Sequence, residues 1–103
     1  MPQGTLAMLV LRVLQSGALH GYGIAQRIRT LTDSVLEAEE GSLYPTLQKM
    51  LVEGWVKADW RVSDSGRRVR VYRLTKSGER RLRQEVEEYE QATAAIQAIL
   101  HLA

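Results

Sequence analysis

The side chains of this sequence best suited to chemistry are its arginines. Residues 61–83 hold nine basic side chains, Arg61, Arg67, Arg68, Arg70, Arg73, Lys76, Arg80, Arg81 and Arg83, against Asp64 and Glu79, a net of +7. Residues 1–60 carry −1 and residues 84–103 carry −4, so the formal net charge of +2 conceals a concentrated basic block. Eleven of the 14 basic residues are arginine, whose planar fork of N–H donors matches phosphate oxygens better than an ammonium does. Such a block suits a polyanion, although taken alone it also suits a solvated charged face.

Other chemistries find little support. The chain has no cysteine, which excludes disulfides, thiolate metal sites and thiol nucleophiles. His20 and His101 are far apart in sequence and belong to no ligand-spaced cluster. His20, flanked by glycine, reads as a turn-stabilising residue. Glu37, Glu39 and Glu40 fall in a polar linker, and Glu85, Glu87, Glu88 and Glu90 lie on the exposed side of a helix. Gly21 and Gly23 lack the preceding strand that a phosphate-cradling loop requires. Neither a catalytic group, a metal nor a cofactor is expected. No apolar run reaches the roughly 18 residues of a membrane span, the longest being interrupted by Arg12. Without a basic, apolar and cleavable leader in series, the expectation is a cytoplasmic protein.

The elements that must position the arginines follow from periodicity. With 103 residues, 45% of them hydrophobic and 25% charged, the chain has the size and mix of one globular domain. Residues 5–14 are apolar nearly all round: Leu6, Leu9, Val10 and Val13 form one stripe, Met8, Leu11 and Leu14 another. A helix of that kind is buried on more than one side, the second side against a partner copy. Gly17 ends it. His20-Gly21-Tyr22-Gly23 opens a second helix with Ile24, Ile28 and Leu31 at helical spacing. After an acid-rich linker, Ser42 reads as the N-cap of a third helix of about 11 residues, with Pro45 in its first turn. Leu43, Leu47, Met50 and Leu51 face inward and Gly54 stops it.

From Trp55 the period changes to two. Val56, Ala58, Trp60 and Val62 alternate with Lys57, Asp59 and Arg61, as in a half-buried strand. Ser63-Asp64-Ser65-Gly66 is a turn, and residues 69–74 form the return strand. Thr75 then caps a last helix on which Leu82, Val86, Tyr89, Thr93, Ile96 and Leu100 recur at spacings of four and three. That is a heptad seam, which predicts self-association, the alternative being packing on the helix's own domain.

Three helices, a hairpin and a long helix are the order of a winged helix-turn-helix followed by a C-terminal dimerisation helix. The fold class is therefore mainly α with a small β-hairpin, residues 1–76 forming the winged domain and 77–103 the dimerisation helix, as one compact unit. In the DNA-binding use of that fold a helix enters the major groove while the hairpin meets the backbone or minor groove. The outer face of the third helix offers Ser42, Tyr44, Pro45, Gln48 and Lys49, and the hairpin offers Arg67, Arg68 and Arg70. Glutamine can pair bidentately with adenine, and the others can bind phosphate or base edges. Leu6, Leu9 and Val13 join the heptad residues as the expected dimer surface. The competing readings are a winged-helix module that binds a protein or ligand without sequence-specific DNA binding, and a packaging protein with no sequence preference.

Three segments, His20-Gly21-Tyr22-Gly23-Ile24, then Gly41-Ser42-Leu43-Tyr44-Pro45-Thr46-Leu47, then Tyr72-Arg73-Leu74-Thr75 with Gly78, resemble the signature segments of the PadR family of bacterial transcriptional regulators. The resemblance extends over about residues 4–100. Gly4-Thr5-Leu6 and the short last helix resemble the compact subgroup of that family, and Gly54-Trp55 with the linker from Asp33 to Gly41 is similar to acidobacterial members. The resemblance implies a homodimeric winged-helix repressor at palindromic operators, with DNA contacts at Ser42, Tyr44 and their helix neighbours and at Arg67 and Arg68. It also implies a possible small-molecule effector near the dimer interface. Relatives that stack planar ligands there use a Trp, whereas the last helix of this chain has Tyr89 as its one aromatic.

Overall fold

The computed structural model describes residues 4–103. Its elements run α1 (Leu6–Gln15), β1 (Leu19–His20), α2 (Gly21–Leu31), α3 (Glu40–Glu53), β2 (Val56–Val62), β3 (Arg68–Leu74) and α4 (Lys76–Leu100). This is the expected mainly helical winged helix-turn-helix with one further helix. The three strands form an antiparallel sheet in the order β1-β3-β2.

Helix α1 lies at the centre, packed against α2, α3, β3 and α4. That position explains its apolar surface. Met8, Val10, Leu11, Val13 and Leu14 are buried by the protomer's own elements, joined by Ile24, Ile28, Leu43, Leu47, Met50, Val56, Tyr72 and Leu82. A second copy of the chain is therefore not needed to bury most of α1; Leu6, Ala7 and Leu9 remain half-buried.

The α2 entrance shows why its motif contains two glycines. His20 is the N-cap: its Nδ1 accepts a hydrogen bond from the Gly23 N–H at 2.9 Å, satisfying one of the orphan donors of the first turn. A Cβ on Gly23 would sit 3.3 Å from the His20 ring, and one on Gly21 would overlap the Tyr44 ring, 2.6 Å from its hydroxyl. The turn-stabilising reading of His20 agrees with this cap. A strand does precede the glycines, contrary to expectation. It is two residues long, pairing Leu19 with Tyr72 and His20 with Val71, and it joins the helical half of the domain to the hairpin. Of the three apolar residues at helical spacing, Ile24 and Ile28 are buried and Leu31 is exposed at the end of α2.

Helix α3 begins earlier than Ser42. The carbonyl of Glu39 accepts from the N–H groups of Ser42 and Leu43, so Glu39 is the N-cap, without a side-chain cap, and the helix has 14 residues. Glu40 in the first turn complements the positive end of the helix dipole. Pro45 consequently lies inside the helix, where it removes the hydrogen bond to the Gly41 carbonyl; one residue on, the Thr46 hydroxyl donates to the Ser42 carbonyl at 2.8 Å. Gly54 ends α3 in the left-handed conformation, φ 77°.

The hairpin register places Val56, Ala58, Trp60 and Val62 opposite Leu74, Tyr72, Arg70 and Arg68, all on one face of the ribbon. Only the inner half of that face is covered. Val56 and Tyr72 are buried, whereas Trp60 is 59% and Val62 71% exposed, so the ribbon leaves the core after Ala58 and projects as a wing. The half-buried strand expected over residues 56–62 is thus half-buried at its base alone. Thr75 caps α4 as expected, accepting from the Gly78 N–H at 3.0 Å. The 25 residues of α4 run well past the core, which gives the chain extents of 59 × 29 × 22 Å and a radius of gyration of 15.2 Å, against about 13 Å for a compact chain of this length.

Candidate nucleic-acid interface

The fold brings the α3 surface and the wing around one cleft. Its walls are His20, Gly21 and Tyr22 at the start of α2, Tyr44 on α3, and Val69, Arg70 and Tyr72 on β3, enclosing about 290 Å³. Tyr44 reaches this cleft because Gly21 leaves room beneath its ring. Beyond β1 the edge of β3 has no strand partner, so the cleft opens along the backbone of the wing. On α3, Ser42, Tyr44, Pro45, Gln48 and Lys49 are all exposed, opposite the buried Leu43, Leu47 and Met50. On the wing, Arg67, Arg68 and Arg70 are exposed. The turn they flank is held by the Gly66 N–H donating to the Ser63 carbonyl and the Ser63 N–H to the Arg67 carbonyl.

Charge within the basic block is not uniformly free. Among the described residues, Arg73 pairs with Asp59 across the hairpin at 3.6 Å, and Arg81 pairs with Glu85 one turn along α4 at 3.0 Å. Arg67, Arg68 and Arg70 have no carboxylate partner among the described residues. Arg68 instead lies over the Trp60 ring, 4.7 Å from its centroid, and Arg70 over Tyr72 at 5.9 Å. The wing therefore presents the unneutralised guanidinium groups of Arg67, Arg68 and Arg70 beside the cleft that Tyr44 enters, and Arg61 on β2 is likewise outside the ion pairs. Tyr22, 69% exposed and stacked on His20, joins the same cleft. In the sequence Tyr22 stands out only as part of the Gly-flanked motif, because an aromatic one residue into a helix has no periodic signal.

The residues expected at a dimer surface divide into two sets. Val13 and Leu82 are buried in the protomer's own core, and Val86 packs against it. Tyr89, Ile96 and Leu100 are exposed, Ile96 at 57%, with Thr93 half-buried among them. The seam thus begins inside the domain and continues uncovered along the projecting part of α4. Ile99 and Leu102 add to that uncovered apolar surface.

Residues 10–84 match the model of the transcriptional regulator PadR-like family. The chain belongs to that family. Its general function is DNA-binding transcriptional regulation, and the family is one of regulators rather than enzymes. Among the described residues, no group of three or more His, Cys, Asp or Glu could hold a metal ion, and no helix is long and apolar enough to cross a membrane. A protein of Lysinibacillus sphaericus is 31% identical over 88 residues, which cover 84% of this chain and 80% of that one. A transcriptional regulator of Clostridium thermocellum superposes with a TM-score of 0.85 at 27% identity over 92% of both chains. Bacillus subtilis PadR, solved in complex with operator DNA, superposes with a TM-score of 0.71 at 26% identity, covering 80% of this chain and 47% of that one.

Proposed function

We propose that the chain is a cytoplasmic, homodimeric, sequence-specific repressor that binds an inverted-repeat operator. In each protomer α3 enters the major groove, with Gln48 and Lys49 at base edges and Ser42, Tyr44 and Pro45 along its entry. Arg67, Arg68 and Arg70 lie on the backbone or in the flanking minor groove. The observation that carries this reading is the shared cleft: Tyr44 from α3 and Arg70 from the wing line one groove, so a single duplex could meet both. The likeness to a PadR solved on its operator supports the same mode. The uncovered seam of Tyr89, Ile96 and Leu100 supports a dimer through α4. Two-fold symmetry then calls for half-sites about one helical turn apart. Within the family, the chain takes a place in the compact subgroup, beside acidobacterial members, on its sequence likeness alone.

Phosphate contacts release counterions, so each one lost lowers the salt dependence of binding. Replacing Arg67 and Arg68 together by Ala is expected to weaken every duplex similarly and to reduce the slope of log K against log salt by about 1–2. Fluorescence anisotropy between low and moderate salt measures this. An unchanged slope would remove the wing from the interface.

A further inference from the structure

We infer that Trp60 is a positioning residue of the DNA interface: its indole holds the Arg68 guanidinium over the wing and leaves its in-plane N–H donors free for a phosphate. The inference rests on the DNA-binding reading above and adds to it a residue outside the α3 face and the arginines.

Two stacked arginines in this chain make the comparison. Arg81 lies over Trp55, 4.9 Å from the ring centroid, but its Nε and Nη2 are taken by Glu85 at 3.0 Å each. Arg68 lies over Trp60 at 4.7 Å and has no carboxylate partner among the described residues. A ring engages the face of a guanidinium and leaves its in-plane donors unused, whereas a carboxylate consumes them. Arg81 is therefore a closed arrangement and Arg68 an open one. The strand register reinforces the point. Trp60 stands directly opposite Arg70 and diagonal to Arg68, on the ribbon face that continues through Tyr72 into the Tyr44 cleft. A partner that buries this indole, 59% exposed, also meets the free N–H donors of the arginines beside it. A duplex backbone suits both: anionic oxygens for the forks and sugar surface for the ring.

The test is a double-mutant cycle with the full chain and a duplex recovered by selection from a random library, read by anisotropy at two salt concentrations. Trp60→Ala is expected to weaken binding by about 3- to 30-fold, the range spanned by exposed and desolvated cation–π pairs, and to lower the salt slope as Arg68→Ala does. Trp60→Phe, which keeps a ring, is expected to lose less than Trp60→Ala. Arg68→Ala is expected to cost less in the Trp60→Ala background than in the wild type, a coupling that a merely structural role would not produce. Equal circular dichroism and unfolding midpoints would show that each variant folds, as the exposure of Trp60 predicts. Wild-type affinity in Trp60→Ala, or strictly additive losses in the cycle, would overturn the inference while leaving the DNA-binding reading in place. Failure of the wild type to bind any duplex would overturn both.

Discussion

Replacing Gly78 by alanine should destabilise this protein strongly, although the change puts the best helix former in place of a poor one. Gly78 lies in the first turn of α4 and donates to Thr75 Oγ1. A Cβ there would overlap the Trp55 carbonyl oxygen and come within 2.6 Å of Leu74 Cδ1. The carbonyl has little freedom to retreat, since it accepts from the Thr75 N–H at 3.1 Å and from the Thr75 hydroxyl at 3.0 Å. The same hydroxyl also reaches the Gly54 carbonyl at 2.7 Å. Overpacking costs about 1–3 kcal/mol, and breaking two of these hydrogen bonds adds about 1 kcal/mol each. Alanine recovers at most about 1 kcal/mol of helix preference. The net expectation is a loss of about 2–4 kcal/mol, a fall in melting temperature of roughly 10 °C or more for a domain of this size. Urea unfolding followed by circular dichroism measures it at constant m-value. A midpoint equal to or above that of the wild type would refute the close packing of α4 on the β2 entrance.

Gly21→Ala tests the opposite situation, because the atoms in the way belong to the movable, half-exposed Tyr44 ring rather than to backbone. Stability should change by less than about 1 kcal/mol, while displacement of Tyr44 weakens duplex binding by roughly 5- to 30-fold, the worth of one or two lost hydrogen bonds; unchanged affinity in a titration would separate Tyr44 from the interface. Ile96→Asp should raise the dimer dissociation constant by more than about 100-fold, since an uncompensated buried carboxylate costs several kcal/mol. Sedimentation velocity reads this directly, and a dimer persisting at the same concentration would place Ile96 outside the contact. Ile96 is a cleaner probe than Val86, whose replacement by Asp also disturbs the protomer's own core.

Much of this architecture is legible in the sequence because it rests on local signals. Thr75 and Gly54 act through their own side-chain chemistry and backbone freedom, and both stand where such residues cap helices. The change from helical to alternating period at Trp55 marks the hairpin in the same way. Features that depend on distance along the fold were not legible. Strand β1 has two residues, too few for any period. Alternation through Val62 continues unbroken while the ribbon passes from core to solvent between Ala58 and Trp60, because periodicity records which face a residue occupies and not what covers it. The heptad spacing on α4 likewise runs through Leu82, which packs inside its own protomer, and Leu100, which is largely exposed. Within the basic block, sequence cannot distinguish Arg73 and Arg81, which are ion-paired, from Arg67, Arg68 and Arg70. That distinction comes from the hairpin register and the α4 turn; among the described residues it leaves Arg61, Arg67, Arg68 and Arg70 unpaired on the wing, and Lys76, Arg80 and Arg83 unpaired on α4.

The most direct test of the central claim is selection of binding sites from a random duplex library with the purified protein, repeated at two salt concentrations. Sequence-specific regulation by a two-fold dimer predicts an inverted repeat with half-sites about one helical turn apart, retained at the higher salt because base contacts do not depend on counterion release. Recovery of no motif, with binding lost as salt rises, would contradict it and reduce the wing arginines to a non-specific electrostatic surface.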